Sequence, residues 1–148
     1  QDLCNELMTL LKPSAILKQV SILMSCPQDI ECFADRNMLK TILRNLLQNA
    51  IKFSFKGGTI EIKPRKTKGY VELKVVDNGI GMDLQTQSSI FKIGNTSRHG
   101  TEGEKGSGLG LILCQELVDK HTGRIWVNSS PGKGSTFSFV LPYPDNVR

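Results

Sequence analysis

The sequence predicts a two-layer α/β sandwich with a mixed sheet, on three observations. Strand-like and helix-like segments interleave without steady βαβ alternation, and hairpin turns join some of the strands. One long segment, residues 35–53, places Leu39, Ile42, Leu43, Leu46, Leu47 and Ala50 along one stripe, as a helix resting on a sheet does. With 148 residues, 39% of them hydrophobic, the chain is one domain with room for a real core.

Taken in order, Leu7, Leu10, Leu11 and Ala15 predict an opening helix, with Pro13 as a kink or break. Residues 20–25 and 30–34 read as strands around the turn Pro27-Gln28-Asp29. Asp35 suits the N-cap of the long helix, and Gly57-Gly58 stops it. Two alternating strands, 59–64 and 70–76, flank Lys68-Gly69. A short helix over 86–93 follows, then a polar loop over 94–107, a length at which loops are usually functional. The remaining elements are a helix over 109–121 and strands over 123–128 and 136–141, joined through Pro131-Gly132-Lys133-Gly134. The core runs from about residue 3 to residue 142, and both ends read as cut linkers.

Composition removes several classes of function. No apolar run is long enough to cross a bilayer, so no direct membrane contact is expected, and no signal peptide is apparent. Cys4, Cys26, Cys32 and Cys114 lack C-x-x-C spacing, which argues against structural zinc and for a reduced, cytoplasmic setting. The net charge is +5, yet the densest basic cluster (Lys63, Arg65, Lys66, Lys68) flanks a turn and has no interleaved aromatics. It reads as a solvated turn rather than a nucleic-acid surface, and no nucleic acid is expected as a partner.

Three constellations carry chemistry. The first is Gly106, Gly108 and Gly110, which precede the helical run of Leu111, Ile112, Leu113, Leu117 and Val118. A helix start offers free N–H groups and a positive dipole end to a phosphate, and glycine lets backbone come close. Lys105 stands where it could reach a terminal phosphate. Leu111 breaks the dinucleotide fingerprint, and Gly134 after Gly132-Lys133 breaks the P-loop. A glycine-rich linker feeding a helix remains the plain alternative.

The second constellation is Asn45, Asn49 and Lys52, at i, i+4 and i+7 on the long helix. At about 100° per residue they share roughly 60° of arc on the flank of the apolar stripe. An amide oxygen suits Mg²⁺, and an ammonium suits phosphate. An exposed helix face carries the same residue types, so this row alone decides nothing. The third is Asp77-Asn78-Gly79-Ile80-Gly81-Met82, which follows an apolar strand. A carboxylate at a strand end can accept from the amino group of adenine, where guanine presents a carbonyl instead. Gly79 and Gly81 would curve the backbone under a flat ring, with Ile80 and Met82 as lining. A simple turn is again the alternative.

The order of these motifs, closed by Gly134-Ser135-Thr136-Phe137, resembles the catalytic ATP-binding domain of bacterial sensor histidine kinases, within the superfamily that also holds gyrase and the ninety-kilodalton heat-shock chaperones. The likeness covers almost the whole chain. Residues 100–105 and 120–142 are similar to hybrid kinases that carry further regulatory domains. The resemblance implies about five strands on three helices with a mobile lid. Carried over by position, Asn49 would coordinate Mg²⁺, Asn45 would support it, and Lys52 would contact phosphate. Asp77 would bind adenine with help from Thr136, on a floor of Gly79 and Gly81. Gly106, Gly108, Leu109 and Gly110 would cradle the phosphates.

The hydrolysing relatives carry Glu where this chain has Asn45. An amide cannot take a proton from water, which fits transfer to a protein side chain better than hydrolysis. Neither His99 nor His121 is followed by an acidic residue as an acceptor histidine would be, and His121 reads as structural. The implied partners are a histidine-bearing dimerisation domain of the same parent and a response-regulator receiver domain. The implied setting is the cytoplasmic portion of a membrane-anchored kinase. Phe91 lacks the second aromatic of the family's phenylalanine box, being followed by Lys92, Ile93 and Gly94. The competing readings are a regulatory nucleotide-binding module and an ATPase of the same superfamily without kinase activity.

Overall fold

The computed structural model describes residues 2–25, 34–92, 99–104, 106 and 108–142. Its elements run α1 (Asp2–Lys18), β1 (Ser21–Met24), α2 (Arg36–Phe53), β2 (Thr59–Thr67), β3 (Tyr70–Asp77), α3 (Leu84–Ser89), α4 (Gly110–Lys120), β4 (Arg124–Ser129) and β5 (Ser135–Pro142). The sheet order is β1-β2-β3-β5-β4, with β1/β2 parallel and the other pairs antiparallel. It is the mixed, five-stranded α/β sandwich that the motif order implies. Helices α1 and α4 both pack on α2.

Helix α2 forms because its stripe has somewhere to go. Ile42, Leu43, Leu46, Leu47, Ala50 and Ile51 are all buried. Each fully buried Leu or Ile contributes about 1.5–3 kcal/mol, more than the roughly 1 kcal/mol of a good cap. The cap sets the boundary instead: Asp35 accepts from the Met38 N–H at 2.9 Å. Ser54, not the glycine pair, ends the helix, donating its N–H to the Ile51 carbonyl and its hydroxyl to that of Ala50. Gly57, with φ of +82°, turns the chain afterwards. Asp83 likewise starts α3 two residues earlier than expected, through the Thr86 N–H at 2.7 Å.

Pro13 lies inside α1 without breaking it. The ring removes one N–H, but the residue is exposed, so water can serve the carbonyl left over one turn earlier. Of the second early strand, residues 30–33 lie outside the described residues, and Ala34 is not in a strand. Cys4 is disulfide-bonded, against the expectation of reduced cysteines. A bridge needs only two Cα atoms about 4.4–6.8 Å apart, which spacing along the chain does not reveal. Cys114 is a free thiol in the core, and burial pushes its pKa up to about 12. Among the described residues no helix is long and apolar enough to cross a membrane.

Candidate functional site

The period-two geometry of β3 builds the site. Val71, Val75 and Asp77 alternate onto one face of the strand, and all three are buried. Val75 belongs to the core, so the next residue on that face, Asp77, turns its carboxylate toward the helix layer. It lines a pocket together with Asn49, Phe53, Gly81, Met82, Ile90, Ser135 and Phe137. The amide from α2 and the carboxylate from β3 therefore share one cavity, although 28 residues of sequence separate them.

The pocket is apolar with one charge in it. Burial raises the Asp77 pKa above the ordinary carboxylate range, and N–H bonds from Gly79 and Ser135 only partly offset this. The Gly79 N–H donates to Asp77 Oδ1 at 2.9 Å. Phe91 meets Phe137 edge-on behind the cavity, with ring centroids 6.3 Å apart.

The glycines that follow Asp77 are sterically required. A Cβ at Gly79 would stand 2.0 Å from the Phe53 carbonyl oxygen, and one at Gly81 would stand 1.9 Å from that of Ser130. Ile80 crosses between them, donating its N–H to the Phe53 carbonyl and accepting from the Gly132 N–H. Ser129 ties β4 to this floor: its hydroxyl donates to the Gly134 carbonyl, accepts from the Met82 N–H and meets the Ser135 hydroxyl at 2.8 Å.

Asn45 and Lys52 flank Asn49 along α2. A Cβ at Gly110, the first residue of α4, would lie 2.9 Å from Asn45 Oδ1. The start of α4 therefore abuts the polar row, and no side chain caps it. Gly108 has φ of +76°, Gly106 is exposed, and Leu109 is 60% exposed. Lys105 lies outside the described residues. The Lys52 ammonium sits 5.0 Å from the Phe53 ring centroid, and its carbonyl accepts from the Thr101 N–H. Among the described residues no group of three or more His, Cys, Asp or Glu could hold a metal, so a cation here would draw on amide, phosphate and water oxygens.

Two expected positions differ: Met82 lines the pocket but Ile80 does not, and on β5 the contact shifts by one residue. Ser135, not Thr136, pairs with Asp77 in the register and lines the pocket. Thr136 pairs with Val76 and points to the other face, because Phe137, Phe139 and Leu141 already set the core-facing phase of β5. That phase was visible in the apolar alternation and could have placed Ser135 correctly. Phe53, Ile90 and Phe137 also line the pocket, and in the sequence an apolar side chain carries no signal that separates a pocket wall from core. Lys18 and Glu104, described below, left no local signal. His121 is held at both nitrogens: Nε2 accepts from the Asp35 N–H, and Nδ1 faces the Leu117 carbonyl at 2.7 Å. It ties the end of α4 to the start of α2.

The family described as "Histidine kinase-, DNA gyrase B-, and HSP90-like ATPase" matches residues 34–145. The adaptive-response sensory kinase SasA of Synechocystis sp. is 36% identical over 143 residues, covering 95% of this chain and 37% of the relative. The chain thus spans little more than a third of the curated relatives it matches. Among solved structures, the catalytic domain of histidine kinase ThkA superposes with a TM-score of 0.83 at 28% identity, covering 98% of this chain and 93% of that one. ThkA in complex with response regulator protein TrrA gives 0.79 at 25% identity, over 99% and 41%. Full-length ShkA in complex with AMPPNP gives 0.78 at 27% identity, over 96% and 29%.

Proposed function

The chain belongs to the histidine kinase-, DNA gyrase B- and HSP90-like ATPase family, and from that premise we propose that it binds Mg-ATP and donates the γ-phosphoryl group to a histidine on another domain of its parent protein. It is a catalytic ATP-binding domain of the histidine kinase type. The convergence of Asn49 and Asp77 on one pocket carries the reading. The carboxylate takes the adenine amino group, Gly79 and Gly81 keep the backbone low beneath the ring, and the uncapped start of α4 faces the phosphates.

Asn49 would hold Mg²⁺, which when bound shields the phosphate charge, with Asn45 supporting that region and Lys52 reaching phosphate. In the transfer the bond between the γ-phosphorus and the β–γ bridging oxygen breaks, and a P–N bond forms. ADP leaves with the electron pair, and the accepting imidazole gives up its proton. Nothing at position 45 can serve as base for water, which favours a protein acceptor. Both nitrogens of His121 are engaged, which supports an acceptor outside this chain. The proposed partners are therefore a dimerisation domain bearing the histidine and, downstream, a receiver domain, in the cytoplasmic part of a membrane-anchored kinase. The ThkA–TrrA complex supports a partner of the second kind.

Titration with ATP should raise thermal stability by roughly 2.7 kcal/mol at about 100 times the dissociation constant, with Mg²⁺ strengthening the effect and GTP giving none. Labelled γ-phosphate should then pass to an added dimerisation domain. Label taken up covalently by this chain alone would place the acceptor wrongly. In Asn49→Ala the gain in ATP affinity on adding Mg²⁺ should disappear. An unchanged Mg²⁺ dependence would remove Asn49 from the metal.

A further inference from the structure

We propose that Lys18 is a positioning residue for nucleotide binding: its ammonium clasps residues 100–104, through Glu104, to the C-terminal end of α2, just ahead of the glycines that lead into α4. The inference rests on the ATP-binding reading of the pocket and adds to it a residue from the far end of α1. Lys18 is only 4% exposed, a rare state for a lysine unless its charge is paired. Its ammonium donates to the Lys52 carbonyl at 2.6 Å and to Glu104 Oε2 at 2.5 Å. Burial opposes ionisation of Glu104, yet the Lys18 ammonium and the Glu102 N–H outweigh it and hold the carboxyl below the ordinary range.

The segment around Glu104 is fitted closely onto α2. The Gly100 N–H donates to the Glu104 carbonyl, and a Cβ at Gly100 would come within 2.4 Å of the Lys52 carbonyl oxygen. The Thr101 N–H shares that same oxygen with Lys18, and the Thr101 hydroxyl donates to the Ser54 carbonyl at 2.6 Å. Cations also favour the negative end of a helix dipole, where Lys18 sits.

Six residues beyond Glu104, Gly110 abuts Asn45. The glycine-rich stretch thus leaves α2 at a bonded anchor and returns to lie against it, at points seven helical residues or about 10 Å apart along its axis. Those points bracket the row of Asn45, Asn49 and Lys52. With the Lys18 anchor lost, residues 100–104 are no longer fixed on α2 beside Lys52, and closing the longer loop between α2 and α4 around phosphates costs more entropy.

The test is titration of the whole chain with Mg-ATP and, separately, with adenosine, which occupies only the Asp77 pocket. Lys18→Met should weaken Mg-ATP binding about tenfold, the equivalent of roughly 1.4 kcal/mol, and leave adenosine unchanged. Glu104→Gln should weaken ATP by a smaller factor, since the amide still accepts one bond. The double variant should be no worse than Lys18→Met, because both act on one contact. Should Lys18→Met fail to fold, Glu104→Gln stands alone, its side chain being a third exposed. Equal losses for adenosine and ATP, or variants that bind ATP as the wild type does, would overturn the clasp. A wild-type chain that binds neither compound would overturn the nucleotide reading itself.

Discussion

Replacing Asp77 by Asn should abolish adenine-nucleotide binding, keep the chain folded, and raise the melting temperature of the empty protein. The loss follows from the pocket: the carboxylate is its one charged acceptor, in a cavity otherwise lined largely by Phe53, Met82, Ile90 and Phe137. A hydrogen bond to a charged group contributes roughly 1.5–3 kcal/mol, or about one to two orders of magnitude in affinity. The amide also presents a donor toward the donor of adenine, which makes the loss larger.

The stability gain follows from the sign of the Asp77 shift. Burial raises its pKa in the folded chain above the ordinary 3.8, so the folded state holds this proton more tightly than the unfolded one. The resulting stability is fully present below 3.8 and is lost as pH rises through the raised value. At neutral pH the empty site carries a desolvated charge that Asn does not have. Melting curves of wild type and variant should therefore diverge as pH rises from 4 to 7, with the variant higher at pH 7. A variant that melts lower at neutral pH, or that binds ATP normally, would sink this account of the base pocket.

Gly81→Ala should be the most damaging single-methyl change in the pocket, with Gly132→Ala as its control. Both glycines have positive φ, +67° and +76°. Forcing alanine into that region costs about 1–2 kcal/mol at either position. Only at Gly81 does the new methyl also meet backbone, 1.9 Å from the Ser130 carbonyl oxygen; at Gly132 nothing lies within 4 Å. Relief would require β4's exit to separate from the pocket floor, undoing the Ser129 bonds to Met82 and Gly134. Urea titration should show a loss of roughly 3 kcal/mol or more for Gly81→Ala and nearer 1 for Gly132→Ala. Equal losses would mean that strain alone, not the close approach, requires glycine at 81.

The sequence by itself determined the phase of each regular element and the residue types on each face. Spacing of seven residues along α2 put Asn45, Asn49 and Lys52 on one flank, and Asp77 ended an alternating strand. Such features are local, because helix and strand periods follow from backbone geometry. The boundaries at Ser54 and Asp83, and the survival of α1 through Pro13, depended on which side chain reaches which backbone group and on exposure. The side of β5 on which Ser135 lies was legible in the alternation of Phe137, Phe139 and Leu141, but that Ser135 stands opposite Asp77 depended on register, which the pairing of β3 with β5 decides. The joining of Lys18, Lys52 and Glu104 lay furthest from the sequence's reach: 86 residues separate the ion pair, and only the packing of α1 and the loop on α2 brings it together. Tertiary structure decided that contact because its burial, which makes the pairing of the two charges matter, exists only once the layers have closed.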